Sequence, residues 1–318
     1  MNIDALINGL PGAAAQGLIW GIVAIGIYIT YKILDIADLT VDGSLGTGGA
    51  VCVMMMLAGY SNGMSLAAAF VIGMVTGLVT GLLNTVMGIP AILAGILTQL
   101  GLYSVNLKIM GSRANTPINP NNYDLLVSLR NVKNVPFYEN AIFITAVITL
   151  VIVAILYLFF GTEFGCTLRA TGGSEAMCRA QGVNVEFNKV VGLTISNGLV
   201  AFAGGLLAQY QGFADVNMGR GAIVIGLAAV VIGEAIFGRI FSNFALNLIA
   251  MSLGSIIYYL VLQVVIWRGL DPQLLKLLSA IIVAIFLAIP YFKGKYFNGV
   301  ILARHSGSEK GDAENAGN

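Results

Sequence analysis

Four carboxylates could carry proton or cation chemistry in an otherwise apolar chain. Three fall within Leu34-Asp-Ile-Ala-Asp-Leu-Thr-Val-Asp-Gly-Ser44, as Asp35, Asp38 and Asp42; the fourth is Glu234. Acids inside a membrane usually mark an ion or substrate path. The three aspartates stand at a span boundary beside Lys32, where capping a helix serves them equally well. Glu234 is placed to pair with Arg239 or to reach the interface. Other chemistry has no residues to perform it. There is no G-x-x-x-x-G-K-[ST] phosphate loop, no H-E-x-x-H and no Ser/His/Asp set, and His305 is the only histidine. Cys52, Cys166 and Cys178 lack metal-ligand spacing, so neither a metal site nor a catalytic residue is assigned.

A second set of residues suits a docking surface. In Arg169-Ala-Thr-Gly-Gly-Ser-Glu-Ala-Met-Cys-Arg-Ala-Gln-Gly182, Gly172-Gly173 break the chain and Ser174 can cap a helix. Glu175 falls in the first turn and Arg179 in the last, spaced i, i+4 and each matched to the helix dipole. Gly182 supplies the stop. About two turns of capped helix, including Ala176, Met177, Ala180 and Gln181, thus lie between two spans, either as a connector or as a surface for a partner. Gly73, Gly77 and Gly81 form a row on one helix face that lets another backbone approach closely. Uncharged polar residues recur in the apolar stretches, among them Thr98, Asn106, Gln211, Asn247 and Gln263. Asn84, Gln99, Asn197 and Gln209 are the candidates for lining a path; the bland role for all of them is interhelical hydrogen bonding, at about 1 kcal/mol each.

The elements that must position these residues follow from composition. The 318 residues are 58% hydrophobic and 10% charged, with a mean hydropathy of +0.88. Soluble domains run at roughly 45–50% apolar and about 25% charged. The net charge of +1 gives no pull toward nucleic acid. With about 20 apolar residues per span, the pattern predicts an all-α polytopic membrane protein with about nine transmembrane helices. The first covers roughly 13–33; the absence of Lys and Arg before Lys32 argues against a cleaved leader. Three more lie in the 65 residues from Gly43 to Leu107, which carry no Asp, Glu, Lys or Arg, with turns at Ser61-Asn62-Gly63 and Gly88-Ile89-Pro90. Five follow near 140–162, 190–209, 221–238, 241–266 and 274–292. Residues 108–139, with Pro117, Pro120 and Pro136, read as an external loop holding a short helix near Tyr123–Arg130. Residues 163–189 read as a cytoplasmic loop, and 293–318 as a polar cytoplasmic tail, disordered toward its end. The permease-sized unit is 1–292.

Nine spans put the termini on opposite sides. One side then carries Lys32, Arg169, Arg179, Lys189, Arg239, Lys293, Lys295, Arg304 and Lys310. The other carries Lys108, Arg113, Arg130, Lys133, Arg220, Arg268 and Lys276, four of them in one long loop. The positive-inside rule places the N-terminus outside and the C-terminus in the cytoplasm.

Three stretches resemble the membrane subunits of bacterial ABC importers, in the branch of branched-chain amino acid and ribose-type permeases. They are Asp38-Leu-Thr-Val-Asp-Gly-Ser-Leu-Gly-Thr-Gly-Gly-Ala50, Gly88-Ile-Pro-Ala-Ile-Leu-Ala-Gly-Ile-Leu-Thr-Gln-Leu-Gly101 and, most specific, Thr162-Glu-Phe-Gly-Cys-Thr-Leu-Arg-Ala-Thr-Gly172 continuing through Ala180-Gln-Gly-Val-Asn184 to Ala203-Gly-Gly205. The likeness spans roughly 15–290 and looks closest to a subgroup paired with aromatic amino acid binding proteins. It departs from the family at Arg220, where an acidic residue is usual, and at Gly233-Glu234-Ala235. The resemblance implies that 172–182 is an ATPase-coupling helix, framed by Phe164, Gly165, Leu168 and Arg169. It implies as partners an ATPase subunit that holds the ATP and Mg, an extracytoplasmic substrate-binding protein and a second permease copy. The expected protein is a multi-pass permease in the lipid of the bacterial plasma membrane. It would bind no cofactor of its own and move a small solute, an amino acid and in particular an aromatic one, by alternating access. The rivals are an ion-coupled secondary transporter depending on Asp42 or Glu234, and a membrane scaffold.

Overall fold

The computed structural model describes residues 3–120, 123, 125–132, 140–238, 240, 243–269, and beyond these 277, 280, 281, 283–285 and 288. The chain divides into two units, Met1–Asp271 and Pro272–Asn318. The described residues of the second are helical; the expected ninth span and the tail lie almost wholly outside the described residues.

Among the described residues of the first unit there are ten α-helices: α1 Ile3–Tyr28, α2 Thr40–Leu57, α3 Asn62–Thr85, α4 Ala91–Ile109, α5 Ala141–Phe160, α6 Glu163–Gly173, α7 Glu175–Ala180, α8 Val185–Gln211, α9 Ala222–Phe237 and α10 Phe244–Trp267. A π-helical turn, Ile29–Ile33, extends α1. Among the described residues seven helices are long and apolar enough to cross a membrane: α1 with its π-turn, α2, α3, α4, α5, α8 and α10. The turns expected at 61–63 and 88–90 separate α2, α3 and α4. At 16 residues, α9 is about 24 Å long, short of a hydrocarbon core of about 30 Å.

Glycine rows set the packing, because lipid tails supply no hydrophobic force between helices and close approach must. On α3, Gly73 meets Ala201 and the Asn197 carbonyl, Gly77 meets the Leu193 carbonyl, and Gly81 meets Val190. The partner numbers fall as the glycine numbers rise, so α3 and α8 run antiparallel along their length. Gly17 and Gly21 of α1 press likewise on Ile256 and Ser252 of α10, and Ser255 Oγ donates to the Gly17 carbonyl at 2.6 Å.

Four details differ from the sequence pattern. The helix α8 starts at Val185 rather than Val190: Asn184 Oδ1 accepts from Phe187 N–H at 2.9 Å, and Glu186 and Lys189 find ionic partners on α7. Gly172 and Gly173 do not break the chain. They finish α6, where Gly172 lies against the Ile33 carbonyl with no room for a Cβ. The short helix expected near Tyr123–Arg130 is a 3-10 turn at Leu129–Val132, since the Leu126 N–H is claimed by Gln209 Oε1 at 3.1 Å. Finally, among the described residues the mostly helical chain holds one short antiparallel ladder. It pairs β1 Asn115–Pro117 with β2 Phe213–Asp215.

Replacing Gly77 by leucine should therefore destabilise the protein by about 1–3 kcal/mol or more, as overpacking does. Gly101→Ala, with nothing within 4 Å of the new methyl, should stabilise by about 0.5–1 kcal/mol. Unfolding of the purified protein in mixed micelles checks both.

Candidate functional site: a capped surface helix and two helix starts inside the bundle

At one end of the bundle α6 and α7 follow one another as a shelf. Thr162 caps α6, its Oγ1 accepting from Gly165 N–H at 3.2 Å. Arg169 donates from Nη2 to the Phe160 carbonyl at 3.1 Å and lies over the Phe244 ring at 5.5 Å. Leu168 is fully buried, and Phe164 packs edge-on against Phe159 and Phe187. Asn188 Nδ2 donates to Thr171 Oγ1 at 2.9 Å. The shelf thus grips the ends of α1, α5, α8 and α10 at once.

The helix α7 has the caps that its sequence predicts. Ser174 Oγ accepts from Met177 N–H at 3.3 Å, and Gly182 takes a left-handed φ of 78° that a Cβ would strain. Cys178 is the only buried residue of α7; Glu175, Ala176, Met177, Arg179, Ala180, Gln181 and Gly182 are exposed. Arg179 lies 3.7 Å from Glu175 and 2.8 Å from Glu186, and Glu175 also pairs with Lys189. Exposed pairs add little stability, but here they fix the azimuth of a two-turn helix on the first turn of α8. Glu186 and Lys189 are partners that periodicity could not supply, because α8 was expected to begin after them.

Two helices begin partway through the depth of the bundle. Thr40, the first residue of α2, is hydrogen-bonded to Thr80 at 2.7 Å, and Thr80 to Thr98 at 2.9 Å. Asp38 accepts from Thr40 N–H at 2.9 Å and from Asn197 Nδ2 at 2.6 Å. Asn197 Oδ1 accepts from Ser44 Oγ at 2.6 Å, and Ser44 Oγ lies 2.7 Å from Thr76 Oγ1. Asn197 is twelve residues into α8, about 18 Å above its start at 1.5 Å per residue. The start of α9 is capped from another helix. Asp42, in the first turn of α2, accepts from Gly221 N–H and Ile223 N–H, each at 2.9 Å. The chain reaches that point by descending from β2 along α2, with Val216 against Gly46, Met218 against Gly49 and Gly219 against the Asp42 carbonyl.

The remaining expectations resolve as follows. Glu234 pairs with Lys32 at 2.7 Å, tying α9 to the end of α1; Arg239, its other expected partner, lies outside the described residues. Asn197 and Gln209 are fully enclosed within this chain; Gln209 Nε2 reaches Cys52 Sγ at 3.4 Å. Asn84 Nδ2 donates to the Ile89 carbonyl at 2.9 Å and closes the α3–α4 turn. Gln99 is half-buried, its backbone against Gly43. Arg220, assigned by charge counting to an outer connection, lies instead beside Asp42 within the bundle's depth.

The family model for the permease component of branched-chain amino acid transport systems matches residues 10–289. The chain belongs to this family. The tyrosine transport system permease protein of Clostridioides difficile (strain R20291) is 36% identical over 281 residues, 88% of this chain and 91% of that protein. The xylose transport system permease protein of Haemophilus influenzae is 31% identical over 131 residues, 40% of this chain and 33% of that one. PsaBC from Streptococcus pneumoniae, solved in complex with Fab, superposes with a TM-score of 0.55 at 16% identity, covering 93% of this chain and 99% of that chain, and shows the fold alone. This branched-chain-type permease is a multi-pass subunit of the bacterial plasma membrane that forms a solute path in an ABC importer, and it is not an enzyme.

Asp42→Ala should release two N–H groups at the start of α9 and cost about 0.5–2 kcal/mol, whereas Asp42→Asn should keep at least one bond and lose less. Comparative unfolding of the permease in detergent measures the difference.

Proposed function

We propose that this permease couples to a separate ATPase through α7 and imports an amino acid, aromatic in side chain, received from an extracytoplasmic binding protein. Two copies of the chain enclose the path. The N-terminus is outside, nine spans cross the membrane, and the shelf of α6 and α7 faces the cytoplasm. The observation that carries the reading is α7 itself, capped at both ends and exposed on every side but Cys178. It follows directly on α6, which is wedged by Gly172 onto the end of α1 and by Arg169 onto the ends of α5 and α10. Binding and hydrolysis of ATP and Mg on the partner would shift α7. Because α6 is packed without slack, that shift tilts the attached spans between two discrete packings. The substrate assignment rests on the tyrosine transport relative.

An ion-coupled carrier would need Asp42 or Glu234 free to exchange protons or cations. Both oxygens of Asp42 are occupied by α9, and Glu234 is paired, so the ATP-driven reading is preferred.

Purification of the tagged chain from its native membrane in mild detergent should bring down a P-loop ATPase in stoichiometric amount. Ala176→Trp combined with Arg179→Glu should lower that yield at least about tenfold, a loss of about 1.4 kcal/mol or more, while the unfolding midpoint holds. Asp42→Asn should leave tyrosine uptake largely intact. Uptake without an ATPase, or its abolition by Asp42→Asn in a folded protein, would overturn the proposal in favour of ion coupling.

A further inference from the structure

Arg220 is an exposed cation in a place where lipid would not tolerate one. Its neighbours in sequence, Gly219 and Gly221, are both held to Asp42. Asp42 is fifteen residues below the end of α2 at Leu57, about 22 Å at 1.5 Å per residue. The helix α9 runs about 24 Å farther from there toward the α6–α7 end. Arg220 therefore sits near mid-depth, where a charged side chain faces a watery cavity or a partner rather than hydrocarbon. Among the described residues no carboxylate pairs with its side chain; its guanidinium lies over the Tyr103 ring of α4 at 5.7 Å from the centroid, an arrangement that leaves its N–H donors available to a ligand.

The surroundings of Tyr103 are graded. Toward the α6–α7 end, the exposed residues of α4 are Ile92, Leu93, Leu97 and Leu100. Toward the ladder, Ser104 and Lys108 are exposed with Val105 between them, as is Arg113 just past the helix, and no acidic residue occurs from Ala91 to Tyr123. One turn beyond Tyr103, Asn106 is 1% exposed, and its Oδ1 has no hydrogen-bond partner among the described residues. A polar, electropositive lane thus descends from the ladder end and stops at Arg220 and Tyr103, above an apolar stretch.

We infer that Arg220 and Tyr103 form a subsite in the translocation path for the carboxylate of the solute, the guanidinium binding the anion and the ring packing on the adjoining apolar part. This deepens the permease reading proposed above and rests on it. Arginine suits the role because its planar fork binds carboxylate through two parallel N–H bonds. The lane of Lys108 and Arg113 draws an anion inward, as a narrow cleft of one sign does.

The test uses the assembled transporter carrying Ser104→Cys with Cys166→Ala, Cys52 and Cys178 being buried. It compares the rate of modification by an anionic methanethiosulfonate, the sulfonatoethyl reagent, with that by a cationic one, the trimethylammonioethyl reagent. The anionic reagent should react roughly tenfold faster relative to its rate with a free thiol. Arg220→Gln should abolish the preference and Arg220→Lys should keep most of it. Tyrosine should slow the modification where tyramine, which lacks the carboxylate, does not. Arg220→Gln should also cut tyrosine uptake at least about tenfold with ATPase assembly unchanged. A cysteine at 104 inert to both reagents, a preference indifferent to Arg220→Gln, or equal protection by tyrosine and tyramine would each overturn the subsite. Absence of the ATPase or of tyrosine uptake in the unsubstituted transporter would instead overturn the parent reading, so the two failures are distinguishable.

Discussion

Two helices of this permease start partway through the bundle, where their first backbone N–H groups must find acceptors within the protein. Each helix start leaves several N–H groups without an intrahelical acceptor, and in hydrocarbon each unpaired group is expensive. The molecule answers with two aspartates four residues apart. Asp38 satisfies the first turn of its own helix, α2, and leans on Asn197 of α8. Asp42 satisfies the first turn of α9. Much of the rest follows from that arrangement. The central position of α2, the descent of residues 213–221 along it, and the run of hydroxyls from Thr40 to Thr98 and from Ser44 to Thr76 all keep these two starts paired. The glycines of α2, α3 and α8 then let the surrounding helices close tightly around a polar seam.

The spans were legible because hydropathy answers to the same constraint. A charge-free run of 65 residues can only be spans joined by tight turns, and α2, α3 and α4 separate at the glycine- and proline-bearing turns. The shelf helix was legible for a different reason, since caps are local: Ser174, Glu175, Arg179 and Gly182 act within a few residues of one another. What could not be read was every contact distant in sequence. Nothing around Gly219-Arg220-Gly221 signals that the N–H groups of Gly221 and Ile223 reach an aspartate some 180 residues earlier. The pairing of Glu234 with Lys32 spans a similar distance. The start of α8 was misplaced because Glu186 and Lys189 look like loop residues until α7 is present to pair with them.

The polar residues show why composition alone cannot separate a path from a seam. Asn197 and Gln209 are as polar as any candidate, yet both are consumed by partners within the chain. The face that stays unsatisfied is carried by an arginine and a tyrosine, residues that charge counting assigned to a loop and hydropathy to a span. Burial with all partners present marks structure; exposure at depth with donors to spare marks function. Only coordinates make that distinction, because it depends on what fails to pair.

The way α9 is held also explains how a displacement at the shelf can be felt at mid-depth. One end of α9 is fastened to α1 through Glu234 and Lys32, and the other to α2 through Asp42. The end of α1 is in turn jammed against α6 at Gly172. Along its middle, α9 touches α10 backbone to backbone at Gly233 and Gly254, so it has little freedom to bend. A helix fixed at both ends and stiff between them moves as one body, and packed interfaces of this kind switch between arrangements rather than deform smoothly. Of its two fastenings, the ion pair at the α1 end is half-exposed and adds little stability, while the aspartate cap is less exposed. Motion transmitted from α6 and α1 would therefore pivot α9 about Asp42. Arg220, adjacent to that pivot, would change its surroundings while keeping its depth, as a residue that meets a solute from alternate sides of the membrane must.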